Sequence, residues 1–368
     1  MVEKEDTSTV MFLIGNGFDI GILTALGKKH KTTYNEFYDY LSYFLENKNN
    51  FIYKEILKEK NNSEVEDDTW LNYELLLEKL VAKKIEEIEH CTSGKTKLFD
   101  VFIGDWTEIQ YQFADFLNYV IQPQTLLEAS KLSGKDTLEG FIGDLCEEDC
   151  QKIEFPRRIS NHRKIKYKIV NFNYSFLVDN YFYWLFDHHP YRSSDNNAYF
   201  MPNPKNYTNC YGNNKTEYSV QASVEFHHPH GQISIPESLL FGVSYNKERY
   251  QSSRADYKHF TEELVKKLDK PYWSNGLNKV SPMINESNLY VIYGHSIGQS
   301  DKWWWEEIIK NVYSNNKEVI IYDYCNEGLK EKFLSYCSME QQKVVSDKVY
   351  VVNFDDKNTL KCGFNFSN

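Results

Sequence analysis

Several familiar signatures are missing from the sequence. Its seven cysteines include no Cys-x-x-Cys pair and are odd in number, so neither a four-thiolate zinc site nor a disulfide framework is expected. Cys146 and Cys150 stand four apart and read as helix neighbours. No run of about 18 apolar residues occurs, which argues against a helical membrane span, and the polar, acidic start from Met1 to Thr9 favours a cytoplasmic protein. Basic charge is also short. Asp and Glu outnumber Lys and Arg by 53 to 42, giving a net charge of −11, and a surface of that sign repels a phosphate backbone. Only six of the 42 basic residues are Arg, two of them adjacent at Arg157 and Arg158, so bulk nucleic-acid binding is not expected.

What is present is ordinary globular composition: 41% apolar, 26% charged and 16% aromatic residues over 368 positions. That length corresponds to two units, or to one core carrying a large insertion. Thr9 to Ile14 is a short apolar run ending in Gly15-Asn16-Gly17, which predicts a strand buried on both faces and a tight turn. From about Thr33 to Glu148 the apolar spacing is helical, as in Tyr34, Phe37, Tyr38 and Leu41 or Phe102, Trp106, Ile109 and Phe113. Strand patterns return at 167–172, 220–226, 238–243, 289–293, 319–322 and 349–354, with helical pieces at 302–313 and 328–336 between the last three. Strand, helix and strand in alternation predict βαβ crossovers and a largely parallel sheet. Asp195 to Thr216, rich in Asn, Tyr and Pro, reads as a long surface loop. The expected architecture is a doubly wound, Rossmann-like α/β core in segments 1–32 and 149–368, interrupted by a helical insertion over 33–148, with a cleft between them.

Four segments carry candidate chemistry. Gly15-Asn16-Gly17-Phe18-Asp19-Ile20-Gly21 follows the first strand, where glycines let the backbone approach a phosphate and the next helix offers its amides. Its spacing is one residue longer than the common dinucleotide fingerprint, and no acidic residue stands at a strand end some 20 positions later, so a plain βα turn fits as well as a nucleotide site. Asn171-Phe172-Asn173-Tyr174 ends a strand, where Asn173 can face a ligand or cap the helix starting near Ser175. In His227-His228-Pro229-His230-Gly231, His230 is placed to act as a general base, or to be a loop histidine without a role; no carboxylate or thiolate accompanies the three imidazoles at ligand spacing, so no metal is expected. Gly294-His295-Ser296-Ile297-Gly298 matches the Gly-x-Ser-x-Gly nucleophile elbow, yet none of the ten histidines follows Ser296. The usual hydrolase order therefore fails. The segment reads instead as a second glycine turn, with Gly294, Ser296 and Asp301 lining a cleft. Two further features are Glu74, in Trp70-Leu71-Asn72-Tyr73-Glu74, and Trp303-Trp304-Trp305, of which one ring should be packed and another partly exposed, at a subunit contact if one exists.

Taken in order, Phe12 to Asp19, Thr33 to Phe37, Trp70 to Glu74, Asn171 to Tyr174, His228 to Gly231, Phe241 to Val243 and Tyr293 to Asp301 resemble the AbiH family of bacterial abortive-infection proteins, from about Val10 to Tyr322. The resemblance implies defence against bacteriophage, set off by a phage-derived trigger, and is compatible with homo-oligomerisation. The same order is more distantly similar to sirtuin-like domains, including those that destroy NAD in phage defence. That second likeness implies NAD or a related nucleotide as ligand, Asn173 positioning the nicotinamide ribose or the attacking water, and His230 as base on a ribose hydroxyl or that water. It also implies Gly15, Asn16, Gly17 and Asp19 on the diphosphate side. The four-cysteine zinc module of sirtuin deacylases is missing, which leaves N-glycosidic hydrolysis or simple nucleotide binding. Asn16-Gly17 also replaces the residue usual after the first glycine. The expected function is thus an anti-phage effector that hydrolyses NAD, with a non-catalytic nucleotide sensor and an RNA-directed toxin as rivals.

Overall fold

The computed structural model describes residues 7–62, 70–91, 93–132, 134–182, 197–239, 241 and 277–366. Its frame is one seven-stranded sheet, with strands β1 (Thr7–Ile14), β2 (Lys164–Asn171), β3 (Asn197–Phe200), β4 (Tyr218–His227), β5 (Leu289–Tyr293), β6 (Glu318–Tyr324) and β7 (Val349–Phe354) in the order β3-β4-β2-β1-β5-β6-β7. All neighbours are parallel except the edge pair β3–β4. From β1 the chain steps outward to β2 and β4, then returns to the other side of β1 for β5, β6 and β7. The six parallel strands therefore follow the Rossmann order, in which the direction of winding reverses between the first strand and the fourth, here β1 and β5.

The sequence explains this placement. Residues Ser8 to Ile14 of β1 and all of β5 are buried, as a strand covered on both faces requires. In β4, Val220 and Ala222 are buried while Gln221 and Ser223 are exposed, the alternation of a strand with one wet face. The expected loop from Asp195 to Thr216 needs correction, because β3 lies inside it. Ala198 and Phe200 turn inward and Tyr199 outward, a period too short to stand out beside Asn-, Tyr- and Pro-rich neighbours. The expected strand at Ser238 to Val243 also changes: Pro236–Ser238 form a 3-10 turn, and Gly242 and Val243 lie outside the described residues.

The chain divides into two compact units. The first comprises 1–28, 123–228 and 281–368 and contains the sheet; residues 123–148, expected in the helical insertion, group with it. Its core gathers Phe12, Phe18 and Tyr293, and the segment before the C-terminus adds Phe364, whose ring stacks on Tyr293 at 4.0 Å. Thr137 Oγ1 donates to Gly363 O at 2.6 Å and fixes that segment.

The second unit comprises 29–122 and 229–280. It contains α2 (Tyr34–Phe44), α3 (Phe51–Asn62), α4 (Trp70–His90) and α5 (Lys95–Val120), following α1 (Gly17–Ala25) of the first unit. Thr33 caps α2 by accepting from Glu36 N, and Glu36 turns back to His30 Nδ1 and Lys31 N at 2.9 and 2.8 Å. Phe37, Tyr73, Phe113 and Phe241 pack ring against ring at its centre. Among the described residues no helix is long and apolar enough to cross a membrane.

Candidate functional site

Ligands of open α/β sheets bind beyond the carboxyl ends of the strands where the winding reverses, which here means the turns after β1 and β5. These two turns are locked together. Gly15 N donates to Tyr293 O at 3.0 Å and Gly17 N to Gly294 O at 2.9 Å, while Phe18 N donates back to Gly15 O. A methyl group on Gly15 would lie 2.6 Å from Gly294 O, and one on Gly294 would lie 2.5 Å from Phe18 N, at a positive φ of 63°. The glycines are needed because two backbones meet. Since the amides of Gly15 and Gly17 already donate within the protein, they are not the donors a diphosphate would find.

Behind these turns lies a buried polar network. Asp19, in the first turn of α1, accepts from Asn173 Nδ2 at 2.8 Å and from Ser175 Oγ at 2.5 Å, and Asn173 Nδ2 also donates to Gly15 O at 3.1 Å. Burial pushes the Asp19 carboxyl up to about 7; the hydrogen bonds from Ser175 and Asn173 pull it down, and the nearby Asp179 charge adds to the rise. A carboxyl group near neutrality can hold or release a proton at working pH. The network continues outward. Asn171 Nδ2 donates to Ser175 O and to Asp179 Oδ2, both at 3.0 Å, and the other Asp179 oxygen meets His228 Nε2 at 2.9 Å.

Local structure explains how these side chains arrive. β2 ends at Asn171, whose Oδ1 accepts from Asn173 N at 2.9 Å and turns the chain. Ser175 Oγ then accepts from Leu177 N at 3.2 Å and starts a short helix (Leu177–Tyr181), which carries Asp179. The helix is thus begun by Ser175. Asn173 reaches the other way, toward β1.

The turn after β5 is the strained part of the edge. Ile297, a β-branched residue, has φ of 51°. It is held by a bond from its own amide to His295 Nδ1 at 3.0 Å and by Tyr336 OH donating to its carbonyl at 3.2 Å. His295 is buried between the ring edges of Phe172 and Trp305. Ser296 is exposed and Asp301 buried, and the left-handed residue is Ile297, so the turn does not present Ser296 as a nucleophile elbow does. Of the three tryptophans that follow, Trp304 and Trp305 are buried and Trp303 is half-buried.

Gly15, Asn16, Gly17, Asp19, Asn173, Gly294, Ser296 and Asp301 all belong to the first unit, whereas His230 belongs to the second. His230 is buried, and Gly231 beside it has φ of 85° with Ser238 O only 2.1 Å from where a methyl group would stand. Gly231 is therefore a packing requirement. Glu74 is half-buried in the second turn of α4. Sequence reasoning named Ser175 only as the start of a helix and His228 only within the three-histidine run, and did not single out Asp179. The parallel register that pairs Val170 with His227 would have placed His228 level with Asn171. Among the described residues no group of three or more His, Cys, Asp or Glu is arranged to hold a metal ion.

No curated protein matches the chain. The family described as bacteriophage abortive infection AbiH matches residues 11–323. That span covers most of the chain, from β1 into β6, and includes both glycine turns, Asp19, Asn173 and His228. The chain accordingly belongs to the AbiH family of bacteriophage abortive-infection proteins.

Proposed function

We propose that this protein is an abortive-infection effector that binds NAD or a related nucleotide beyond the carboxyl ends of β1, β2 and β5 and hydrolyses its N-glycosidic bond. One observation carries the reading: Asp19, buried beside two glycine turns, is poised near neutral pH and fixed by Asn173 and Ser175. N-glycosidic cleavage passes through a cation-like ribose and calls for a dry site and a nearby negative charge. The bond from ribose C1′ to the base nitrogen breaks with its electron pair leaving on the nicotinamide. A water oxygen then bonds to C1′ and gives up one proton, yielding nicotinamide, ADP-ribose and H⁺. In this scheme ionised Asp19 faces the developing cation and takes the water's proton, and Asn173 orients the carboxylate.

Purified protein incubated with NAD, with and without phage lysate, tests this by chromatography of nicotinamide. Release by the wild type that drops at least about a hundredfold in Asp19→Asn and Asn173→Ala is the expected result. No release under either condition would contradict it.

A second reading is favoured by a specific feature. Both side-chain amide hydrogens of Asn173 are already donated within the protein, to Gly15 O and Asp19 Oδ1, which leaves neither to orient a reacting ribose and suits sensing a nucleotide without transforming it. It predicts that a wild type releasing no nicotinamide still binds NAD and still blocks phage yield. Discrete RNA cleavage in induced cells at constant NAD would instead favour an RNA-directed toxin.

A further inference from the structure

His228 stands outside the residues assigned so far. It follows β4 directly, and its Nε2 lies 2.9 Å from Asp179 Oδ1. An ionised carboxylate can only accept, so in the neutral ring a proton on Nε2 faces Asp179 and the lone pair lies on Nδ1. That Nδ1 is buried and has no hydrogen-bond partner among the described residues. Buried acceptors are almost always satisfied, and one that is not calls for an explanation. Two features point to a ligand rather than to a packing defect. First, the imidazole is held on its other side by a carboxylate that is itself fixed by Asn171 Nδ2. Second, the same Asn171 amide donates to the carbonyl of Ser175, whose hydroxyl donates to Asp19, so His228 ends a bonded network that begins at the first glycine turn.

Charge decides what class of group fits. A lone pair backed by an anionic carboxylate repels a phosphate or carboxylate oxygen and welcomes a neutral donor. On a nucleotide the donors beyond the base are the ribose hydroxyls. We propose that His228, held by Asp179, is a recognition residue that accepts a hydrogen bond from a ribose hydroxyl at Nδ1. The assignment rests on the nucleotide reading given above and adds to it the group that separates ribosyl from deoxyribosyl ligands.

Calorimetric titration with NAD and with two analogues, one lacking the 2′-hydroxyl of the nicotinamide ribose and one lacking that of the adenosine ribose, tests this directly. The wild type should bind one analogue about tenfold more weakly than NAD, the effect of a lost hydrogen bond to a buried partner. In His228→Ala that discrimination should vanish, and in Asp179→Asn it should shrink. His228→Asn, which offers an amide oxygen near the Nδ1 position, should keep part of it, and His227→Ala should keep all of it; circular dichroism verifies that each variant is folded. Full discrimination in His228→Ala, or none in the wild type, would overturn the assignment while leaving nucleotide binding intact. A wild type that binds no NAD would overturn the nucleotide reading, and this assignment with it.

Discussion

The carboxyl edge of the sheet and the centre of the second unit bury opposite kinds of chemistry. At the carboxyl edge of the sheet, Asp19, Asn171, Asn173 and Ser175 are buried together and joined by directed hydrogen bonds. The centre of the second unit, by contrast, is aromatic, with Phe37, Tyr73, Phe113 and Phe241 meeting mostly edge to face. Apolar burial stabilises a fold with little demand on direction, whereas a buried carboxyl group persists only where partners are exactly placed for it. The polar edge is therefore the part that costs stability, and such cost tends to collect where function resides.

The largest expected effect lies in the aromatic unit. Phe113→Ala should lower unfolding free energy by about 3–5 kcal/mol in urea titrations, through lost burial and a cavity. An equal loss in Asn173→Ala would blur the contrast, since deleting that side chain should cost about 1–3 kcal/mol.

Second is the pH response of Asp19. Its folded value of about 7 lies above the unfolded 3.8, so protonation favours the folded form; this contribution is complete below the unfolded value and disappears as pH rises through about 7. Between about pH 5 and about pH 8 the wild type should lose about 3 kcal/mol through this group. Asp19→Asn should flatten that slope, and an unchanged slope would show that the carboxyl is not held in the way described.

Third, Gly294→Ala should destabilise by roughly 2–3 kcal/mol, because a methyl group there meets Phe18 N at a left-handed φ. Gly94 shares the left-handed φ but has nothing within 4 Å, so Gly94→Ala should cost only about 1 kcal/mol. Equal costs would mean that the two backbones do not interlock. The smallest effect is Tyr43→Ser, at a residue 83% exposed, which should stay within about 0.5 kcal/mol in the same titrations.

The parallel core was legible because β1 and β5 to β7 are short apolar runs, β2 alternates Lys with Ile and Tyr, and helical periods separate them, a pattern that local sequence carries. β3 was hidden because two inward side chains make no period. At the site, Gly15, Asp19, Asn173 and Gly294 stood out through their places at strand ends, but what the glycines do depends on another strand's carbonyls. Sequence spacing cannot display a contact between positions 15 and 294. Ser175 and Asp179 received no functional reading because a hydroxyl just before a short helix and a carboxylate on it look like surface until Asp19 and His228 are seen facing them. His230 drew attention through its glycine, whose purpose proves to be room for Ser238 O.

The measurement closest to the central claim is mass spectrometry of small molecules from phage-infected cells expressing the wild type, Asp19→Asn or Asn173→Ala. The account predicts that NAD or a related nucleotide falls, while its free base and ribosyl product rise, only in cells making the wild type and only when those cells block phage yield. Protection with every nucleotide pool unchanged would contradict it.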